Sequence, residues 1–328
     1  MNIDSYRAQM DLFDKGPVEA MRVWPNMTVD DLVKEMKNSG AFSSGALAKA
    51  VDIYEQMVND DAFIFLTLSG ALVPAGLKRV ITTLIERKLV HGIVTTGANL
   101  VHDVFEAFGA RHYKGSLDVS DELLFKNKVD RIYDVFLSED EFDDKFDRPM
   151  VDLFADIAKA NQGKVLSIRE LLMEIAKRVP DTESILKYCF KHDVKLFAPS
   201  LSDSAYGLDM AVYSRNGHIP LVVDAFKDLQ DMWDIRANHK KIGIIVLGGG
   251  VPKNYTLQSF YWNNSKINYI VQISLDRPET GGLSGAPPSE SVSWGKIESD
   301  AQMVSVVSEV TLAFPIIVAA LLERLEKK

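Results

Sequence analysis

The sequence predicts an α/β fold: a Rossmann-like, doubly wound, mostly parallel sheet with helices on both faces and a helical N-terminal extension. Three observations point there. Strand-length apolar runs occur without regular polar alternation, which is how a strand reads when both of its faces are covered. Segments with a helical apolar period lie between them. Several runs end in glycine or small polar residues, as strands do at the ligand-binding edge of an open α/β sheet.

Residues 1–60 form the extension. Thr28-Val29-Asp30-Asp31 and Ser43-Ser44 mark helix starts, because short hydroxyl side chains satisfy free N–H groups there. Residues 61–328 form the α/β domain, with strands over Phe63–Leu68, Val90–Thr96, Val194–Ala198, Ile242–Leu247 and Tyr269–Ser274. Ala75 to Lys88 carries an apolar stripe of Leu77, Val80, Ile81, Leu84 and Ile85, and the pattern resumes over Leu100–Phe108. A helix opens at Asp181–Ser184, after Pro180. Another spans Leu221 to Ile235, with Val222, Val223, Phe226, Leu229 and Trp233 inward. The last runs from about Asp300 to Leu325, interrupted near Pro315. Residues 111–150 are polar and read as an excursion from the sheet. The acidic run Ser138–Asp144 within them reads as solvated surface.

The 328 residues are 47% hydrophobic and 25% charged, an ordinary globular balance. No apolar run approaches the roughly 20 residues that span a bilayer. The N-terminus shows no apolar signal segment, and the single cysteine, Cys189, excludes an internal disulfide framework. Both features lead us to expect a cytosolic protein with Cys189 as a small buried hydrophobe. A net charge of −9 argues against a nucleic-acid partner and suits a cationic one.

Three strands end in turns able to meet a ligand: Ser69-Gly70-Ala71, Thr95-Thr96-Gly97-Ala98-Asn99 and Gly248-Gly249-Gly250. Glycine lets backbone approach a ligand closely, and a following helix offers free N–H groups to phosphate. Each turn alone reads as a tight turn. Together they fit a dinucleotide, although none is a GxGxxG fingerprint and no Gly-Lys-Ser/Thr follows Gly250. Asp203, Asp209, Asp276 and Glu290 lie where the sheet's carboxyl edge could gather them into an anionic pocket for a polyamine or other small cation; each also reads as a solvated loop carboxylate. Asp103 reads as a partner of its own helix N-terminus. His102 reads as structural or as a base. The histidines and the cysteine show no metal-ligand spacing, so no metal is expected.

Behind the small-residue loop Thr280–Pro288 stands Ser291-Val292-Ser293-Trp294-Gly295-Lys296-Ile297. A lysine walled by apolar groups gives up its proton more easily, and only the neutral amine attacks a carbonyl or imine carbon. Trp294 could line a methylene stem and hold a cation over its ring, or serve as a core aromatic. On local sequence alone, a solvated lysine is the commoner reading of Lys296.

Ser293-Trp294-Gly295-Lys296-Ile297, followed by Asp300-Ala301-Gln302, resembles the active-lysine motif of deoxyhypusine synthases. Val94-Thr95-Thr96-Gly97, Phe197-Ala198-Pro199-Ser200-Leu201-Ser202-Asp203, Leu247-Gly248-Gly249-Gly250-Val251 and Ser284-Gly285-Ala286-Pro287 follow that family's order over residues 60–325. The resemblance implies a homotetramer with active sites between paired subunits, NAD as cofactor and spermidine as aminobutyl donor. In the family's reaction, hydride passes from spermidine to NAD. The active lysine captures the resulting imine as 1,3-diaminopropane leaves. The butylamine then passes to a lysine of the hypusine-bearing translation initiation factor. By this resemblance Lys296 is the nucleophile. Asp209, Asn254, Glu290, Trp294, Gly281 and Gly282 lie along the polyamine. Gly70, Ala71, Thr96, Gly97, Ala98, Asp203, Gly249, Asp276 and Glu309 lie against NAD.

The chain departs from the family pattern at four positions. Two acidic residues of eukaryotic members are Val101 and His102 here, a histidine is Asn254, and an acidic residue is Leu283. An asparagine cannot act as general base, so His102 or Asp209 is expected to take the proton. Homospermidine synthases resemble the same family and use putrescine as acceptor, which leaves a small amine as the alternative acceptor. A non-catalytic polyamine- or NAD-binding regulator is the third reading.

Overall fold

Phe63 and Phe65 pack into one apolar cluster, whereas Ile64, Leu66 and Leu68 pack into another. Alternate side chains of this strand thus bury on opposite faces, so its sequence is apolar throughout. The same holds for Ile242–Leu247, where all six residues are buried. The computed structural model describes residue 13 and residues 16–180, 182–216, 218–261 and 266–327.

The main sheet contains β1 (Phe63–Leu68), β2 (Gly92–Thr95), β3 (Lys195–Phe197), β4 (Ile242–Leu247), β5 (Ile267–Ser274) and β6 (Ile297–Val307). Their spatial order is β3-β2-β1-β4-β5-β6, and every pairing is parallel. The chain therefore reverses its winding between β1 and β4. At such a switch point the connections leave to opposite sides and open a crevice at the carboxyl ends of the strands.

Helices cover both faces. One face holds α9 (Lys227–Asn238) and α10 (Gly250–Ser259), through Met232, Ile235, Leu257 and Phe260. The other holds α1 (Val29–Ser39), α2 (Phe42–Asn59), α3 (Lys78–Glu86), α4 (Gly97–Ala107) and α11 (Val310–Glu326). On β3 pack α6 (Ile168–Arg178) and α7 (Ile185–Lys191), while α5 (Arg148–Ala160) packs on α6 and on α8 (Ala205–Arg215), which reaches α4. Thr28 closes a capping box with Asp31, as its position predicts, whereas α2 starts at Phe42, just ahead of Ser43. Arg324 of α11 binds Asp30, Asp52 and Glu55, tying the first two helices to the last. Of the expected helix start at 181–184, Asp181 lies outside the described residues, as does most of 1–15; Ser184 caps α7.

Three expectations fail. First, residues 297–307 form strand β6 rather than the start of the last helix. An edge strand has one partner and a partly wet face, so Glu298, Asp300, Gln302 and Ser305 break the apolar run that marks interior strands. The strand signal was Val304, Val306 and Val307, whose β-branched side chains suit a pleated surface. Second, α11 passes through Pro315 without interruption. Burial of Phe314, Ile317, Val318 and Leu321 offsets the roughly 3 kcal/mol that an interior proline costs. Third, Val222–Asp224 is a short strand paired in parallel with Val165–Ser167, and the helix begins only at Lys227. The inward face of that helix is Asp228, Met232 and Ile235, and Phe226 is exposed.

The excursion builds a three-stranded antiparallel sheet from Tyr113–Lys114, Val129–Ile132 and Val135–Ser138. Its acidic run is answered on the surface, with Lys128 on Asp140 at 2.7 Å and Arg148 on Asp144 at 2.9 Å.

Candidate functional site

The sheet's carboxyl edge gathers all the residues assigned to the dinucleotide. Each of the six strands exits into at least one of them: Gly70 and Ala71 after β1, Thr96, Gly97 and Ala98 after β2, Asp203 after β3, Gly249 after β4, Asp276 after β5 and Glu309 after β6. The turns are locked to one another. The Ser69 hydroxyl donates to the Gly249 carbonyl. Buried Asn99 accepts from the backbone N–H of Leu72 at 3.0 Å. A Cβ on Gly97 would strike the Ser204 side chain at 2.5 Å. Gly70 has φ +85° with open space around it, as a backbone meant to face a ligand requires. Thr96 caps α4, whose first turn opens toward this rim. Glycine-bearing strand exits at a switch point, beside a helix N-terminus, are an arrangement that fits a dinucleotide. Glu309 spends one carboxylate oxygen capping α11 through Leu312 N–H. Asp203 and Asp276 are exposed.

Gly249 is also where two loops meet. An added Cβ would lie 2.2 Å from Ser284 Cα. Gly249→Ala should therefore displace the 284–286 loop and cost about 1–3 kcal/mol of stability. An unchanged melting curve would show that the loop yields freely.

Lys296 lies in a second pocket, of about 240 Å³, lined by Lys253, Asn254, Leu283, Ala286, Glu290, Ser291, Trp294 and residues of α10. Lys296 Nζ sits 5.3 Å from the Trp294 ring centroid. Trp294 is 62% exposed, so it is no core aromatic; it is a wall open to solvent. The pocket unites four residues that the sequence singled out, Lys296, Trp294, Glu290 and Asn254, and adds the departing position Leu283. Gly281 and Gly282 are exposed in the loop above and do not line it. Through Asn254 and Gln258 the pocket adjoins another, of about 380 Å³, walled by Phe226, Leu229, Trp233 and Tyr255.

Sequence reasoning missed Lys253, which looks like an ordinary helical lysine but is 2% exposed. Its ammonium donates to Gln272 Oε1 at 2.9 Å, Leu283 O at 2.9 Å and Ala286 O at 2.5 Å. Burial pulls it down to about 8, with Glu290 pulling the other way. Three acceptors for three protons match the charged form.

Asp209 and His102 lie elsewhere. Asp209, on α8, lines an acidic pocket with Asp143, Asp147, Arg148 and Asp152. It is buried, its Oδ2 has no hydrogen-bond partner, and burial together with Asp147 pushes its carboxyl up to about 7. His102 lines neither this pocket nor that of Lys296. Its Nδ1 lies 3.0 Å from His112 Nε2, and His112 Nδ1 lies 2.7 Å from Glu106, which also binds Lys78. Burial and His112 push His102 down to about 4, a poor match for proton removal near neutrality. Asp103 sits mid-helix in α4 and caps α7 rather than its own helix, accepting from Ile185 and Leu186 N–H at 2.8 and 2.9 Å. Cys189 is fully buried, which pushes its thiol up. Among the described residues, no cluster of three metal-ligating side chains occurs, and no helix is long and apolar enough to cross a membrane.

Comparison with known proteins matches the deoxyhypusine synthase family model to residues 31–321. A probable deoxyhypusine synthase 1 of Methanosarcina mazei is 43% identical over 313 residues, covering 95% of this chain and 96% of the relative. That of Archaeoglobus fulgidus is 38% identical over 290 residues, covering 88% and 93%. The solved structure of a putative deoxyhypusine synthase from Entamoeba histolytica superposes with a TM-score of 0.61 at 20% identity, covering 94% of each chain, and so shares the fold. With the model match spanning most of the chain and these identities alongside it, the chain belongs to the deoxyhypusine synthase family.

Proposed function

We propose that the chain is a deoxyhypusine synthase. It transfers the aminobutyl group of spermidine to a lysine of the hypusine-bearing translation factor through an imine on Lys296. The observation that carries this reading is the placement of Lys296 over Trp294 in a pocket with Glu290, in a chain of this family. The 61–328 region serves as the NAD-binding catalytic domain, and the protein is cytosolic. NAD would be held by Gly70, Thr96, Gly97 and Gly249 at the carboxyl edge, where it would supply a reversible hydride acceptor for the donor amine.

The chain's own residues supply the rest. Glu290 draws the cationic amine to the mouth of the pocket, and Trp294 lies along the methylene stem. Neutral Lys296 attacks the donor's imine carbon. A C–N bond forms to Lys296, the bond to the departing nitrogen breaks, and 1,3-diaminopropane leaves with the proton that Lys296 sheds. Asp209 faces the donor's reacting amine and takes its proton, because a carboxyl at about 7 is matched to that task near neutrality. Within one chain the acidic pocket and the Lys296 pocket share no lining residue. This supports active sites completed between paired subunits of a homotetramer.

The acceptor is open to a second reading. Asn254 and Leu283 put neutral groups at positions that are basic and acidic in the family pattern, which favours transfer to a small amine such as putrescine. Incubation with NAD and butyl-labelled spermidine, offering the factor or putrescine, decides between them. Label in the factor supports the first reading and label in putrescine the second. No label in either acceptor and no NADH would overturn both.

A further inference from the structure

We propose that Lys253 and Gln272 form a buried clamp that holds the pocket-lining loop in place, making both of them positioning residues for Lys296. The loop carries Leu283 and Ala286, two walls of the Lys296 pocket, and leads into Glu290. Among the described residues it forms only turns over 281–289, so the carbonyls those turns leave free need partners from elsewhere. Lys253 of α10 takes Leu283 O and Ala286 O, and Gln272 of β5 donates to Ser284 O at 2.7 Å. The two side chains are joined through Gln272 Oε1 and are 2% and 3% exposed. Three loop carbonyls thus hang on one buried pair rooted in a helix and an interior strand. A Cβ added at Gly249 would strike Ser284, and one at Gly285 would strike Arg277 O, so the same segment packs closely on the loops that follow β4 and β5.

A buried ammonium is an expensive way to pack a helix against a sheet, because its desolvation must be offset by complete hydrogen bonding. A leucine or methionine would fill the space. The charge is useful here because it tethers irregular backbone that apolar contact cannot orient, and that backbone shapes the space in front of the nucleophile. The effect on Lys296 chemistry rests on the function proposed above; the effect on the loop does not.

The test compares Lys253→Met and Gln272→Leu with the wild type in the full-length protein. In the free protein, amide hydrogen exchange over 283–290 should quicken by about tenfold or more while β5 stays protected. With NAD and spermidine, borohydride-trapped adduct on Lys296 should fall about tenfold or more, while NAD affinity, measured by fluorescence titration, changes less than about twofold. Exchange unchanged in both variants would refute the clamp. So would exchange that quickens across β5 and α10 alike, which marks a general folding role, or a quickened loop with adduct at the wild-type rate. A wild type that forms no adduct would sink the proposed function instead, and the exchange data would still decide the clamp.

Discussion

Lys296→Arg will abolish aminobutyl transfer, by about a thousandfold or more, and leave oxidation of the donor amine measurable. Arginine preserves the positive charge, the methylene stem and the stacking on Trp294, so binding contacts change little. What it removes is the neutral amine: the guanidinium stays protonated at any working pH and cannot attack the imine carbon. The fold should survive, because Lys296 is only half-buried. The measurements are NADH formation, label transfer to acceptor and a melting curve on one preparation. Transfer at the wild-type rate would remove Lys296 from the mechanism. Loss of NADH formation together with folding would mean that the residue is structural.

The second large effect is a pH dependence set by Asp209. A cation needs the carboxylate, and in the free protein that carboxyl holds its proton up to about pH 7. Polyamine affinity should therefore climb by up to about tenfold per pH unit from pH 5 to 7 and level off above. Asp209→Asn should flatten the climb and weaken binding at pH 8. Stability runs the other way. Unfolded, this carboxyl loses its proton near its ordinary value of 3.8; folded, it keeps it to about 7. Between those values the native state binds the extra proton, so stability falls as pH rises through the window. The melting temperature of the wild type minus that of Asp209→Asn should fall from pH 4 to pH 7, a difference that cancels the carboxylates shifted the other way. An identical slope in both proteins would place the titration elsewhere, with the neighbouring Asp147, also pushed up by burial, the first alternative.

Much of the fold was legible because β1 and β4 bury both faces and therefore have only apolar residues to show. The exits that follow them were legible because close backbone approach leaves glycine as the residue that fits. Strand β6 was not, since a half-wet edge strand mixes polar with apolar residues much as a surface helix does. Val222–Asp224 was not, because three residues carry no period. In the site, Lys296 and Trp294 stand two apart in sequence and share a pocket wall. Lys253 stood in plain view beside Gly250, but its burial depends on a loop that returns from β5, some thirty residues on, and nothing local announces it.

By itself the sequence determined the layered α/β architecture, the glycine-rich carboxyl edge and the lysine behind the small-residue loop. These follow from side-chain size, charge and backbone freedom at consecutive positions. Only the tertiary structure decided which charges face one another. It set Asp209 among other carboxylates and away from Lys296, tied His102 to His112, and drew Lys253 beneath the loop. Burial and electrostatic pairing are properties of distance in space, and a chain that folds back on itself at six strands sets those distances between residues far apart in sequence.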